Sequence, residues 1–96
     1  MMKYDYACEV IFVNGASDKR YTYKTKEKLK AGELALVSIH DKVKDKVRIE
    51  IVMVVSSMEE YETDLNLKPL ICSLYNKDAE KIVNEIIDYN NGAYND

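Results

Sequence analysis

Apolar and polar residues alternate along the first quarter of the chain in the manner of a β-hairpin. From residue 4 to 13 every second residue is apolar or aromatic, which predicts a half-buried strand. Asn14 and Gly15 then form a turn pair that readily supplies positive φ angles. We therefore expect residues 20–25 to return as an antiparallel second strand.

Two further apolar segments predict a third strand over residues 34–39 and a fourth, the longest, over residues 47–55. Lysine and aspartate alternate in residues 40–46 between them, which is typical of a solvated hairpin loop. In the fourth strand the odd-numbered positions are all apolar, and Val52 and Val54 complete the opposite face. The second half of this strand is therefore expected to be covered on both sides.

The next stretch, residues 56–66, is rich in acidic side chains and predicts a solvated connection with room for one helical turn. Residues 68–75 then predict a fifth strand. Pro69 stands near its beginning, where a missing N–H does least harm to a ladder.

A C-terminal helix is predicted over residues 76–91, because apolar residues recur from Ala79 at i, i+3, i+4, i+7 and i+8. Asn76 is the expected N-cap, and Gly92 is positioned to end the helix. The apolar stripe should lie on the sheet or on a partner subunit, and the tail from 92 to 96 should fray.

Together these elements predict one domain of 96 residues, mainly β, with residues 1–75 forming a small five-stranded antiparallel barrel or strongly curved sheet before the single α-helix. The longest apolar run, Ile51–Val55, is too short to span a bilayer, and no secretory signal pattern opens the chain. Cys8 and Cys72 lie inside strand-like segments without metal or CxxC spacing. We expect buried, reduced thiols in a cytoplasmic protein that does not contact membranes.

Charge is segregated along the chain, although the formal net charge is only −3. Residues 19–48 carry ten Lys and Arg against four acids, a net charge of +6, whereas residues 49–96 carry −7 and residues 1–18 carry −2. Binding of an anionic partner depends on the local field rather than on the total. The basic section is therefore the candidate binding region.

The candidate ligand-binding residues are the cations of this section and two tyrosines among them. They are Arg20, Tyr21, Tyr23, Lys24, Lys26, Lys28, Lys30, Lys44, Lys46 and Arg48. If the loop after the second strand and the loop between the third and fourth strands share one end of the barrel, these cations form a field that attracts phosphates. The two tyrosines, with Tyr75, would offer faces on which bases stack. The competing interpretation is that the lysines confer solubility and the tyrosines belong to the core or its rim.

Catalytic and metal-binding chemistry is poorly represented. His40, the only histidine, lies beside Asp41 in a lysine-rich loop, where a surface role is expected rather than that of a general base. The two cysteines and the scattered carboxylates lack metal-ligand spacing, and three isolated glycines cannot build a phosphate loop. We expect no enzymatic activity, no metal and no cofactor.

A recurrent arrangement covers about half of the chain: Tyr21-Thr22-Tyr23, then Leu29–Glu33, the apolar run Leu34–Ile39, and the long strand Val47–Ser56. It resembles the N-terminal DNA-binding domain of the replication-restart helicase PriA, and it is similar to short phage-encoded proteins. The resemblance implies a small SH3-like barrel. In that domain an acidic residue associated with capturing a DNA 3′ end stands between the aromatic pair. Here that residue is Thr22, so the resemblance implies the fold more than the 3′-end pocket.

These observations predict a non-enzymatic binding module that recognises a phosphate-bearing ligand, either a nucleic acid or a nucleotide. The alternative is a small phage-type protein in the host cytoplasm that inhibits a host or defence factor, by protein contact or by sequestering a nucleotide signal. A third interpretation is self-association, because an apolar helix and a two-sided strand in a small chain bury surface between subunits. A homo-oligomer is expected.

Overall fold

The computed structural model describes residues 1–15 and 17–90, which form a mainly β domain with one C-terminal helix. Its strands make one sheet in the order β2-β1-β4-β3-β5, and every ladder is antiparallel. This confirms the predicted fold class. The elements are β1 (Met2–Phe12), β2 (Tyr21–Thr25), β3 (Leu34–Asp41), β4 (Lys46–Thr63), β5 (Cys72–Ser73) and α1 (Ala79–Asn90).

The segment just before β5 links the two edges of the open sheet. On the β2 side, the Lys24 N–H donates to the Lys68 carbonyl at 3.0 Å and the Leu70 N–H donates to the Lys24 carbonyl at 2.9 Å. On the β3 side, the Ile71 N–H donates to the Leu36 carbonyl at 2.9 Å. The sheet is therefore curled into a barrel-like shape. The predicted fifth strand shrinks to two residues, because the chain changes partner within it.

The core lies inside this curled sheet. Its fully buried members come from β1, β3 and β4, and Leu29 and Leu70 close it from the connecting segments. Val52 and Val54 are inaccessible to solvent because they lie opposite inward-facing residues of β3 and β1, respectively. The odd-numbered apolar residues of β4, from Val47 to Val55, lie on the outer face and are half-buried. The inner face of β4 is therefore fully covered, whereas the outer face, which was also expected to be covered in the second half of the strand, is only half-buried.

The solvated connection predicted for residues 56–66 is wrong over most of its length. β4 continues to Thr63, which pairs with Met2, so the first half of β1 acquires a partner that no local pattern indicates. A register shift between Glu9 and Val10 accommodates one extra residue on β4, as a β-bulge does. The acidic side chains at 59, 60 and 62 stay exposed at the surface of the strand.

The antiparallel order defines two ends of the domain. The hairpin end holds the β1–β2 and β3–β4 turns, and the loop end holds the β2–β3 connection and the C-terminal end of β4. At the hairpin end the β1–β4 ladder stops at Phe12 opposite Val52, whereas β3 and β4 pair with each other as far as Asp41 and Lys46. We call residues 37–50, which form this extension, the β3–β4 ribbon.

The helix α1 begins beyond Asn76, whose side-chain oxygen accepts a hydrogen bond from the Asp78 N–H at 2.8 Å, as expected of an N-cap. Its apolar stripe is half-buried, and the helix contacts β4. Gly92 and the tail from 92 to 96 lie outside the described residues. Within the described ranges, no helix combines the length and apolarity needed to cross a bilayer.

Gly32 provides a test of the β2–β3 connection. Its φ is +91°, its N–H donates to the Val54 carbonyl at 2.7 Å, and an added Cβ would meet no atom within 4 Å. Gly32→Ala should therefore destabilise the domain by about 1–2 kcal/mol through backbone strain alone. In thermal unfolding the midpoint should fall by roughly 5–15 °C. Gly32→Asn should lower the unfolding midpoint less than Gly32→Ala does. An unchanged midpoint for Gly32→Ala would contradict the positive φ of this residue.

Candidate ligand cleft at the hairpin end

A cleft of about 640 Å³ opens at the hairpin end, between the β1–β2 hairpin, β3 and the segment 65–68. Its floor and walls are mainly apolar, and the residues that matter most are Phe12, Tyr21, Tyr23, Ile39 and Leu67. A volume of this size lies within the range of small-molecule sites, which combine apolar walls with a few polar groups.

The aromatic wall follows from the two-residue period of β2. Tyr21 and Tyr23 lie opposite Val10 and Cys8, so both face inward. Tyr23 is 7% exposed and belongs to the core, whereas Tyr21 is 40% exposed at the mouth of the cleft. The ring of Phe12 contacts that of Tyr21 edge-on, with centroids 5.2 Å apart and an interplanar angle of 85°. Tyr21 is thus a supported yet accessible aromatic surface.

Cationic groups border this wall. Arg48 lies opposite Ile39 in the β3–β4 ladder and lines the cleft, with its side chain 59% exposed. Its Nε donates to Glu50 Oε1 at 2.9 Å, which leaves the other guanidinium donors available. Lys68 lines the opposite side, and the Lys19 ammonium lies 5.3 Å from the centroid of the Tyr21 ring. The site therefore combines an aromatic surface with positive charge.

Two other candidate cations are engaged beside the cleft. Arg20 forms an ion pair with Glu9, with Nη1 and Oε1 3.8 Å apart. The Lys24 ammonium lies over the Tyr4 ring, 5.8 Å from its centroid. On β2 Lys24 follows the inward-facing Tyr23, so it lies on the opposite face of the strand and does not line the cleft.

The expected convergence of the two basic loops on one end is wrong. Because β2 and β3 run in opposite directions, their connection, which carries Lys26, Lys28 and Lys30, lies at the loop end, whereas Lys44 and Lys46 lie at the hairpin end. Lys28 contacts Glu59, with Nζ and Oε1 3.0 Å apart. Lys46 and Glu59, the partner of Lys28, are 13 residues apart on β4, which is a path of roughly 40 Å at about 3.3 Å per residue. The two basic loops are therefore separated by most of the length of this strand.

The turn of the β3–β4 ribbon keeps its carboxylates occupied. Asp41 Oδ1 accepts hydrogen bonds from the Val43 and Lys44 N–H groups at 3.0 and 3.2 Å. Asp45 Oδ1 lies 2.9 Å from His40 Nε2. The lysines at 42, 44 and 46 are exposed around the tip, where Val43 is 95% exposed.

Sequence reasoning missed the segment 65–68 as part of the site. Tyr4 holds it in place: its hydroxyl donates to the Leu65 carbonyl at 3.2 Å and accepts from the Leu67 N–H at 3.0 Å. Nothing in the sequence around Tyr4 indicates that its hydroxyl holds a segment more than sixty residues away. Lys68, which this segment brings to the cleft, was therefore not among the predicted site residues. Tyr75 follows β5 and is 75% exposed, and it does not line the cleft.

Neither cysteine is placed as a nucleophile. Cys8 is inaccessible to solvent, and burial raises the pKa of its thiol to about 11. Burial, with a smaller contribution from the nearby Glu27 carboxylate, also raises the pKa of Cys72. Both are free thiols, and the reactive thiolate is disfavoured at neutral pH.

Comparison of the chain with protein-family models, with curated proteins and with solved structures gave no match. The resemblance to the PriA domain therefore stays a prediction. What the molecule does has to be argued from the cleft itself.

Proposed function

We propose that the protein is a binding module for a phosphate-bearing ligand, a nucleotide or a nucleic acid, and that the cleft at the hairpin end is its site. The observation that supports this most directly is the accessible Tyr21 ring in an apolar cleft of about 640 Å³ bordered by Arg48 and Lys68. A base is planar and apolar on its faces, whereas its phosphate is anionic. The cleft offers a surface for each part.

In the proposed complex a base stacks on Tyr21, whose orientation Phe12 maintains through the edge-on contact. The phosphate is bound by the guanidinium donors that Arg48 does not give to Glu50. Lys26, Lys28 and Lys30 are not part of this site, because they belong to the loop end.

Arg48 provides the direct test. Arg48→Gln should weaken binding of a fluorescein-labelled dT12 oligonucleotide by roughly 10- to 150-fold, because a hydrogen bond to a charged group contributes about 1.5–3 kcal/mol. Glu50→Gln should maintain or increase the affinity, since it removes the carboxylate that competes for the guanidinium. Fluorescence anisotropy measures both.

Lys77→Gln is the matched control, because Lys77 is exposed just before α1, and it should leave binding unchanged. If the wild type binds and Arg48→Gln binds equally well, the cleft is not the phosphate site. If the wild type does not bind, a protein partner becomes the favoured alternative.

A further inference from the structure

The β3–β4 ribbon extends the cleft in one direction. Beyond the β1–β4 pair formed by Phe12 and Val52, the ribbon continues to Lys46, a further distance of roughly 20 Å at about 3.3 Å per residue. On its other side the β5 ladder ends at the pair formed by Cys72 and Leu36. The base of the ribbon is covered by the core, which contains Val37 and contacts Ile39, and only the outer part, around the exposed turn at 42–46, extends beyond these neighbouring strands.

Two cations on one face of the ribbon lead towards the cleft. Lys46 and Arg48 are two residues apart on one strand, so they share a face with a spacing of roughly 7 Å. Arg48 already lines the cleft. Lys42 and Lys44 continue the positive surface around the turn.

The ribbon also carries three acids, Asp41, Asp45 and Glu50, so its net charge is +1. Each acid is held in a local contact: two backbone N–H groups of the turn donate to Asp41, Asp45 Oδ1 lies 2.9 Å from His40 Nε2, and Arg48 Nε donates to Glu50. The lysine ammonium groups at 42, 44 and 46 belong to exposed residues. In contrast, Lys28 at the loop end already has Glu59 as a partner.

We propose that the ligand of this site is a polynucleotide strand rather than a free nucleotide. One base occupies the cleft, and the phosphates on one side of it follow the ribbon from Arg48 through Lys46 towards Lys44. This inference rests on the proposed function and adds to it the class of ligand. A mononucleotide fills the cleft but leaves the ribbon without a partner, whereas a strand releases counterions along both surfaces.

The test compares two probes with two charge-matched variants. The ribbon variant is Lys42→Gln, Lys44→Gln and Lys46→Gln together, and the control is Lys3→Gln, Lys77→Gln and Lys81→Gln together. All six lysines are exposed, and the control positions lie outside both the cleft and the ribbon. The probes are dTMP, followed by NMR chemical-shift titration, and fluorescein-labelled dT12, followed by anisotropy at 50 and 200 mM salt.

We expect the ribbon variant to bind dTMP within twofold of the wild type but to bind dT12 at least tenfold more weakly at 50 mM salt. The slope of log K against log salt should become shallower by about 2, since each phosphate contact on a single strand contributes about 0.7. The control variant should match the wild type with both probes. Thermal unfolding of both variants shows whether they remain folded.

Each contrary result has its own meaning. If dT12 binds the wild type no more tightly than dTMP does, or if the ribbon and control variants lose dT12 affinity equally, the polynucleotide inference is wrong while the nucleotide site survives. If neither probe binds the wild type, the proposed function itself fails. Inorganic polyphosphate that competes as well as unlabelled dT12 would also overturn the inference, because bases would then contribute nothing.

Discussion

Val52→Asp is expected to leave the domain unfolded at room temperature. Val52 is inaccessible to solvent and lies on the core face of β4, opposite Ala35, which is equally buried. An aspartate there must either bury a charge without a partner or take up a proton, and the penalty is several kcal/mol. A domain of this size has a free energy of unfolding of about 5–15 kcal/mol, and small domains lie towards the lower end, so that penalty, added to the lost packing, equals or exceeds it.

Circular dichroism and the dispersion of amide resonances report the result. Val47→Asp is the matched control, since it makes the same replacement on the same strand at a half-buried position of the ribbon. It should change the free energy of unfolding by less than about 1 kcal/mol. A folded Val52→Asp protein, or equal damage from Val47→Asp, would show that the face of β4 is wrongly assigned.

The elements that the sequence predicts well are those whose signals are local. The alternation in β1 and the return of β2 lie within about two dozen residues, and the structure pairs Cys8 with Tyr23 and Val10 with Tyr21. The turn between them does not use the positive φ expected of Asn14-Gly15, because neither residue adopts it. The helix is also predicted by local signals, because its apolar spacing and its Asn76 cap lie within one short segment of the chain. In each case neighbouring residues supply the partner.

The elements that were missed depend on distant partners. The acidic residues after Val55 have the composition of a loop, yet residues 56–63 form a strand because the first half of β1 offers them a free edge. The low intrinsic strand propensity of these residues contributes less than their pairing with β1 does. Likewise, nothing local indicates that Lys68 and Leu70 bind Lys24 of β2 and so curl the sheet.

The candidate site was predicted in part for the same reason. Tyr21 and Arg48 were identified from their chemistry, and both line the cleft. Which end of the sheet a loop occupies follows from strand order, and that order is a property of the whole chain. Composition therefore identified the cations but grouped Lys28 with Lys44, although they lie at opposite ends.

Tyr21→Ala is expected to cause a large loss of binding while leaving the fold intact. Stacking of one base on an aromatic side chain contributes about 1–3 kcal/mol, so the affinity for dT12 should fall by roughly 5- to 150-fold. Because Tyr21 is 40% exposed at the mouth of the cleft, its truncation removes little of the core. Anisotropy with the labelled oligonucleotide measures the loss, and thermal unfolding measures the stability.

Two further tyrosine variants distinguish base stacking on the Tyr21 ring from recognition through its hydroxyl group. Tyr21→Phe keeps the ring and the edge-on contact with Phe12, so it should retain most of the affinity. Tyr75→Ala truncates a tyrosine that is 75% exposed away from the cleft, and it should bind like the wild type. If Tyr21→Ala and Tyr75→Ala weakened binding equally, the ligand would contact tyrosines across the surface rather than one supported ring. If Tyr21→Phe failed as badly as Tyr21→Ala, the hydroxyl would be the recognised group, and the base would not be stacked on Tyr21.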